Sequence, residues 1–312
     1  TEVLTKIRYK DPGTMSVITQ TSANSADVDT VSGATEASNG FIAAVKDALN
    51  KAGFTPGMVK SAAVNAGVKA PAKSYDVIVI GGGGAGMSAA NAAVGKGAKV
   101  VLFEKMGILG GNTIRATGGM NASGTPQQAA KGIKDSPELF YQDTMKGGYN
   151  RNNPELVRTL AEKSAESVAW ITEMGGDLSD VGRLAGASVD RAHRPAGGAK
   201  VGPEIVKTLA NKAKQSSNLS IFTDAEVISL ITSKKGAVTG AIVRISGKEF
   251  RVMAKAVVLA TGGFGANNEM AASYNPNLKG FATTNHAGAT GDGIKMAQDV
   301  GAALIDMDQI QT

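Results

Sequence analysis

The chain has 312 residues, 42% of them hydrophobic, and 33 Lys+Arg against 27 Asp+Glu give a net charge of +6. That length suits about two domains with a sizeable core. There is no cysteine, and the only two histidines are His193 and His286. This excludes disulfides, thiolate metal sites, iron–sulfur clusters, cysteine nucleophiles and CxxCH haem attachment, and leaves no persuasive metal site. Scattered basic charge with 4% aromatics argues against nucleic acid as a partner, and no apolar run reaches transmembrane length. The 40 glycines are nearly twice the usual share of about 7%, without collagen's period. They cluster after apolar segments, where backbone can approach a ligand closely.

In chain order, residues 1–54 read as a small α+β unit. "KIRYK" and "MSVITQ" are expected strands, and 41–52 an amphipathic helix ended by Gly53. Just before that helix stands "VDTVSGATEAS", in which Ser32, Gly33 and Thr35 are good turn or N-cap types. Residues 55–73, rich in Ala, Gly and Pro, read as a flexible linker. The start at Thr1 is that expected of a mature or trimmed form.

From residue 74 the pattern changes. "YDVIVI" is the continuous apolar run of a parallel strand covered on both faces, "GGGGAG" follows, then the helix "MSAANAAVGKG" and a second buried strand "AKVVLFEK". Helices are expected over 137–146, 154–174 and 203–215, prolines standing near their starts. "LSIFTD", "AEVISLITS", "GAVTGAIVRI" and "KEFRVMA" read as a meander of short strands, and "AKAVVLATGGFG" as a further, separate buried strand. "GATGDGIKMAQDVGA" reads as a glycine loop opening a last helix.

Gly81, Gly83 and Gly86 satisfy G-x-G-x-x-G between strand and helix, with Glu104 ending the next strand. Alone the motif is weak; in this context it predicts a dinucleotide site. The first glycine permits the tight turn, the second lets a pyrophosphate reach the backbone, and the third packs helix on strand. The helix N-terminus offers N–H groups to the phosphates, and Glu104 can accept the ribose hydroxyls.

Beyond Glu104, several motifs occur in order: "EK" at 104–105, "GGNTIRATGGMNA" at 110–122, "GASVDRAHRPAGG" at 186–198, "VVLATGGFG" at 257–265 and "TNHAGATGDGIKMA" at 284–297. Together they resemble the flavoprotein subunits of fumarate reductases and succinate dehydrogenases, most of all the flavocytochrome c type and the urocanate reductases. The resemblance spans residues 74–312. It implies a Rossmann-like α/β FAD-binding domain of the glutathione reductase type, a parallel sheet plus a β-meander. FAD would lie extended, held by Gly81, Gly83, Ala85, Gly86, Glu104, Lys105, Asn112, Thr113, Thr117, Gly118, Gly119, the backbone at Ala225, Thr261, Gly262, Gly263 and Asp292. Membrane-bound relatives carry in the place of Asn112 a histidine that bonds covalently to FAD. An amide cannot make that link, so non-covalent FAD is expected, and with it a preference for reducing fumarate-like acceptors.

The same resemblance gives "DTVSGATEAS" a second meaning. It is similar to the D-x-x-[S/T]-G-A-T-x-[S/T] target of the flavin transferase that attaches FMN to threonine through a phosphoester. Asp29, Ser32, Gly33, Ala34, Thr35 and Ser38 match. Covalent FMN on Thr35 is therefore expected, as the electron entry point in a chain that can carry no c-type haem. FMN-binding domains of this kind are usually longer than residues 1–54, and their first half is expected to be missing here. The chain is likewise expected to stop before the clamp domain that supplies substrate-binding histidines and the proton-donating arginine.

The implied activity is reduction of an α,β-unsaturated carboxylate, fumarate to succinate, with electrons passing from FMN to FAD to substrate. Urocanate or another enoate is the alternative, as is a flavin-binding electron-transfer piece that needs a partner chain. A steroid dehydrogenase or aspartate oxidase is a third reading, against which the FMN motif speaks. The resemblance places no catalytic residue in this chain. His286, Arg191 and His193 are weak candidates, and the "DRAHRP" cluster, with Arg194, reads rather as structural or FAD-side. The expected partners are the flavin transferase and an electron donor, whether quinol, cytochrome or NADH-linked. An extracytoplasmic location, periplasmic or at the cell surface, is expected over a cytoplasmic one.

Overall fold

The computed structural model describes residues 70–311. They belong to the second of two units into which the chain divides, Ala70–Thr312. The expectations for residues 1–54, Thr35 among them, and for 55–69 of the linker lie outside the described residues.

Two apolar runs make the heart of the fold. Strand β1 (Ser74–Ile80) pairs in parallel with β2 (Val100–Phe103), and helix α1 (Gly84–Gly95) crosses between them. Ile78, Val79 and all four residues of β2 are buried, as a strand covered on both faces requires. A two-residue β3 (Met120–Asn121) follows. Next come α2 (Pro126–Ala130), α3 (Pro137–Gly147) and α4 (Pro154–Glu173), each with proline in its first turn and a capping side chain from Thr125, Ser136 or Asn153. After β4 (Asp180–Gly182) and β5 (Ala192–Arg194) comes α5 (Val201–Lys214), which begins two residues before Pro203. One core packs Val79 and Leu102 of the sheet against Met87 and Ala90 of α1, Val168 and Ile171 of α4 and Leu209 of α5.

The large sheet has six strands in the order β6-β2-β1-β9-β8-β7, completed by β6 (Leu219–Phe222), β7 (Ala225–Thr232), β8 (Val238–Ile245) and β9 (Lys248–Leu259). The fold is thus mixed α/β with a parallel four-strand half and an antiparallel hairpin half. It differs from the sequence expectation in two places. "LSIF" does not belong to the meander: β6 pairs in parallel with β2, Val100 opposite Leu219, and closes the parallel half. "KEFRVMA" and "AKAVVL" are one strand, not two. The first half of β9 faces β8 in antiparallel register, Ile245 opposite Lys248 through Gly240 opposite Met253, and the second half faces β1 in parallel, Ser74 opposite Met253 through Ile80 opposite Leu259. Nor is its second half the buried strand expected: of β9 only Val252 is buried, the residues of 254–259 are half-buried or exposed, and Leu259 is 38% exposed.

The small strands form a second sheet, β3-β5-β4, which the sequence reading did not foresee. The last helices are α6 (Asn268–Tyr274) and α7 (Asp292–Asp299), the latter opened by Gly291 at φ 82°. Among the described residues no helix is long and apolar enough to cross a membrane.

Candidate cofactor site

A cavity opens at the C-terminal ends of β1, β2 and β9, with Ile80, Phe103 and Ala260 at its base. That is where parallel strands feeding helices leave room for a ligand. Its glycine wall is built by the turn after β1. Gly81 takes φ 103°, and a Cβ there would meet the Ala260 carbonyl. A Cβ on Gly86 would run into the Gly81 carbonyl oxygen, so the third glycine packs helix on turn and does not itself line the cavity. Gly83, Gly84 and Ala85 do line it. Gly83 is the N-cap of α1 and offers no side-chain cap, and the Gly84 N–H donates to Thr113 Oγ1 at 3.0 Å. The remaining N–H groups at the start of a helix have no intrahelical acceptor, and of these residues Gly83 and Ala85 line the cavity.

Glu104 stands just past the end of β2, 7% exposed. Its Oε2 accepts the Gly82 N–H at 2.7 Å and its Oε1 accepts the Met106 N–H at 2.8 Å. Two backbone donors fix the carboxylate and leave it lone pairs for a ligand. Beside it, Lys105 Nζ donates to Thr290 Oγ1 at 2.6 Å and pairs with Asp292 Oδ2. Burial pushes the Asp292 carboxyl up, but hydrogen bonds from Lys105 and Thr290 outweigh it and hold the group below the usual carboxylate range. Asp292 opens α7, where a negative charge also suits the helix dipole.

Asn112, Thr113, Ala225, Thr261, Gly262 and His286 complete the expected residues that line the cavity. Burial, then the Arg115 cation, pushes His286 below its ordinary value. The sequence reading missed Glu226, Val227 and Met296, also in the lining. They sit on β7 and α7 as ordinary strand and helix residues, and only the strand order brings them here.

Thr117, Gly118, Gly119 and Gly263 lie outside the lining. A Cβ on Gly119 would come 2.8 Å from the Ala192 Cβ, so that glycine serves the packing of the segment before β3 against β5. Arg191 and His193, the weak catalytic candidates, are also outside it, 1% and 0% exposed. Arg191 Nη2 lies 3.0 Å from both Asp135 Oδ1 and Asp143 Oδ2, and its guanidinium stacks 4.8 Å over the Phe140 ring. His193 Nδ1 faces the Arg191 carbonyl at 2.9 Å and so carries the ring proton; Nε2 accepts from the Thr125 hydroxyl at 2.8 Å. Burial pushes His193 below its ordinary value. Arg191 and His193 thus bond within the fold and away from the cavity.

An uncapped glycine-opened helix, a backbone-held carboxylate one strand away and a cavity across the strand ends define a dinucleotide-binding α/β protein. A family profile described as "FAD binding domain" matches residues 76–312, and the chain belongs to that family. A second profile, "FMN-binding domain", matches residues 4–50. "Fumarate reductase (cytochrome)" of Shewanella frigidimarina is 51% identical over 243 residues, 78% of this chain and 42% of that protein. "NADH:fumarate oxidoreductase" of Klebsiella pneumoniae is 44% identical over 294 residues, 93% of this chain and 31% of that protein. Among solved structures, the open conformation of a flavocytochrome c3 fumarate reductase superposes with a TM-score of 0.75 at 41% identity, covering 85% of this chain and 45% of that one. The chain spans less than half the length of these two relatives. The family drawn from the motifs is borne out, and the chain carries an FAD-binding domain with an FMN-binding domain before it.

Proposed function

We propose that the protein is a two-flavin reductase of α,β-unsaturated carboxylates, with fumarate as first substrate, in which electrons enter at FMN esterified to Thr35 and leave at non-covalent FAD in the cavity. The observation that carries this reading is the pairing of an FMN-binding and an FAD-binding match in a chain 51% identical to a fumarate reductase over most of its length. The cavity supports it, because its cradle fits the group. The uncapped first turn of α1 beside Gly83 suits a pyrophosphate. The Glu104 carboxylate suits ribose hydroxyls and repels a 2′-phosphate. Asn112 in the place of a linking histidine supports non-covalent attachment.

Bound FAD would supply hydride transfer to the alkene. The chain's own part is to hold the cofactor and keep its polar ends fixed. Gly83 and Ala85 present backbone to the phosphates, Glu104 holds the ribose, and Asp292, anchored by Lys105, faces the cavity from the start of α7. Among the described residues lining the cavity there is no arginine. An electron donor of the NADH-linked or cytochrome kind is supported by the names of the two relatives. An extracytoplasmic location belongs to the same reading, supported by the cysteine-free composition.

The test has two parts. Peptide mass spectrometry on the chain expressed with a flavin transferase should find FMN on the Thr35 peptide, lost in Thr35→Ala. The full protein should reduce fumarate with a reduced viologen dye, faster than it oxidises succinate and faster than it reduces urocanate. An unmodified Thr35 peptide leaves a helix cap and removes the two-flavin path, and faster urocanate turnover moves the substrate to the alternative.

A further inference from the structure

The segment between α6 and α7 is stitched to the segment after β2 by a small group of side chains. Asn112 Oδ1 accepts the His286 N–H at 2.6 Å, and Asn112 Nδ2 donates to Asn285 Oδ1 at 2.7 Å. Arg115 Nη1 donates to the Thr284 carbonyl at 3.2 Å. Asn285 is itself held, its Nδ2 donating to Thr283 Oγ1 at 2.9 Å, and a Cβ on Gly265 would run into its amide. His286 Nδ1 accepts the Gly288 N–H at 3.2 Å, which leaves the ring proton on Nε2. Thr113, next in sequence to Asn112, is bound to the Gly84 N–H. Asn112 therefore joins the rim that carries His286 to the rim that carries the glycine turn.

We propose that Asn112 is a positioning residue, a clasp that holds the 283–288 loop and the Nε2-protonated His286 ring against the cavity, with Asn285 as its partner. The amide is needed because both of its ends are used. The oxygen meets a backbone donor and the nitrogen meets a side-chain acceptor, which fixes its orientation. Aspartate keeps the first bond and sets an oxygen against Asn285 Oδ1; alanine loses both. The groups around His286 are Arg115 and Lys105, which disfavour its cationic form, and Glu104, which favours it. A carboxylate at position 112 adds to the side of Glu104.

Only the effect of the clasp on FAD affinity rests on the function proposed above. Nuclear magnetic resonance suits it, because the chain has two histidines and the signals lost in His286→Gln identify His286. In the cofactor-free full chain, Asn112→Ala should speed exchange of the His286 amide about tenfold and let the ring populate both tautomers. Asn112→Asp should keep the amide protected and move the His286 titration upward. Asn285→Ala tests the same bond from the other side should Asn112→Ala not fold. A fluorescence titration with FAD should show about tenfold weaker binding in Asn112→Ala, with Asn285→Ala adding little to it. Unchanged exchange and tautomer in both alanine variants overturn the clasp. A parent chain that binds no FAD overturns the cofactor reading, and the resonance data still decide the clasp.

Discussion

Glu104 and Arg191 are both buried charges, and the structure treats them in opposite ways. Glu104 receives two backbone N–H groups, from Gly82 and Met106. Neither donor neutralises it, so the cavity keeps a fixed carboxylate with charge to offer. Arg191 meets two carboxylates and an aromatic face. Its charge is spent within the fold, and its Nε and Nη1 have no partner among the described residues. A buried charge held by backbone is poised for a ligand, whereas one held by counter-ions holds segments together. Here those are the residue just before β5, α3, and the turn before α3, which carries Asp135.

The contrast can be broken most strongly at Arg191. Arg191→Met strands Asp135 and Asp143, and should lower unfolding free energy by about 3–5 kcal/mol in urea titrations. The fraction still folded should bind FAD as the parent does; a matched loss of affinity would make the network part of the site. Glu104→Gln should do the reverse. An amide cannot accept from both backbone donors, so FAD affinity should fall about tenfold to a hundredfold by fluorescence titration. The midpoint of unfolding should move less than in Arg191→Met. Equal affinity for FAD would take Glu104 out of the proposed ribose site.

The smallest effect is one of pH. Burial lowers His193 from its ordinary 6.5. The unfolded chain therefore takes up a proton at higher pH than the folded one. The contribution to stability is complete above about 6.5 and drains away as pH falls through the folded value. His286, lowered for the same first reason, acts in the same direction. Urea midpoints between about pH 5 and 7 should flatten more in His193→Gln than in His286→Gln, because His193 is fully enclosed. Parallel curves for parent and His193→Gln would show that His193 carries no such linkage.

What could be read from sequence follows the range of the interactions. The β1–α1–β2 unit was legible because burial on both faces writes a continuous apolar run and the turn demands glycines. The starts of α3 and α4 were legible because Pro137 and Pro154 mark first turns. The β3-β5-β4 sheet was not, since strands of two or three residues hold no period. The dual pairing of β9 and the edge place of β6 depend on partners far along the chain. In the site, Gly81, Gly83 and Glu104 declare themselves by spacing. The Asn112–Asn285–His286 contacts span more than 170 residues of sequence, and no local pattern announces them. The structural reading of "DRAHRP" agrees with the burial of Arg191 and His193 outside the cavity, though their partners Asp135, Asp143 and Thr125 are set by the fold and not by the motif.

Strand β9 runs unbroken from the hairpin at Ser246–Gly247 to the turn at Thr261, changing partners at Met253. It behaves as a tie-rod, so length changes along it are not equivalent. An extra residue in the Ser246–Gly247 turn should be absorbed where it occurs. An extra residue near Met253 would put the two ladders out of phase, turning every side chain on one half to the opposite face and sliding Thr261 along the cavity. Variation in length in this protein should accordingly collect at the hairpin tips and stop at the middle of β9.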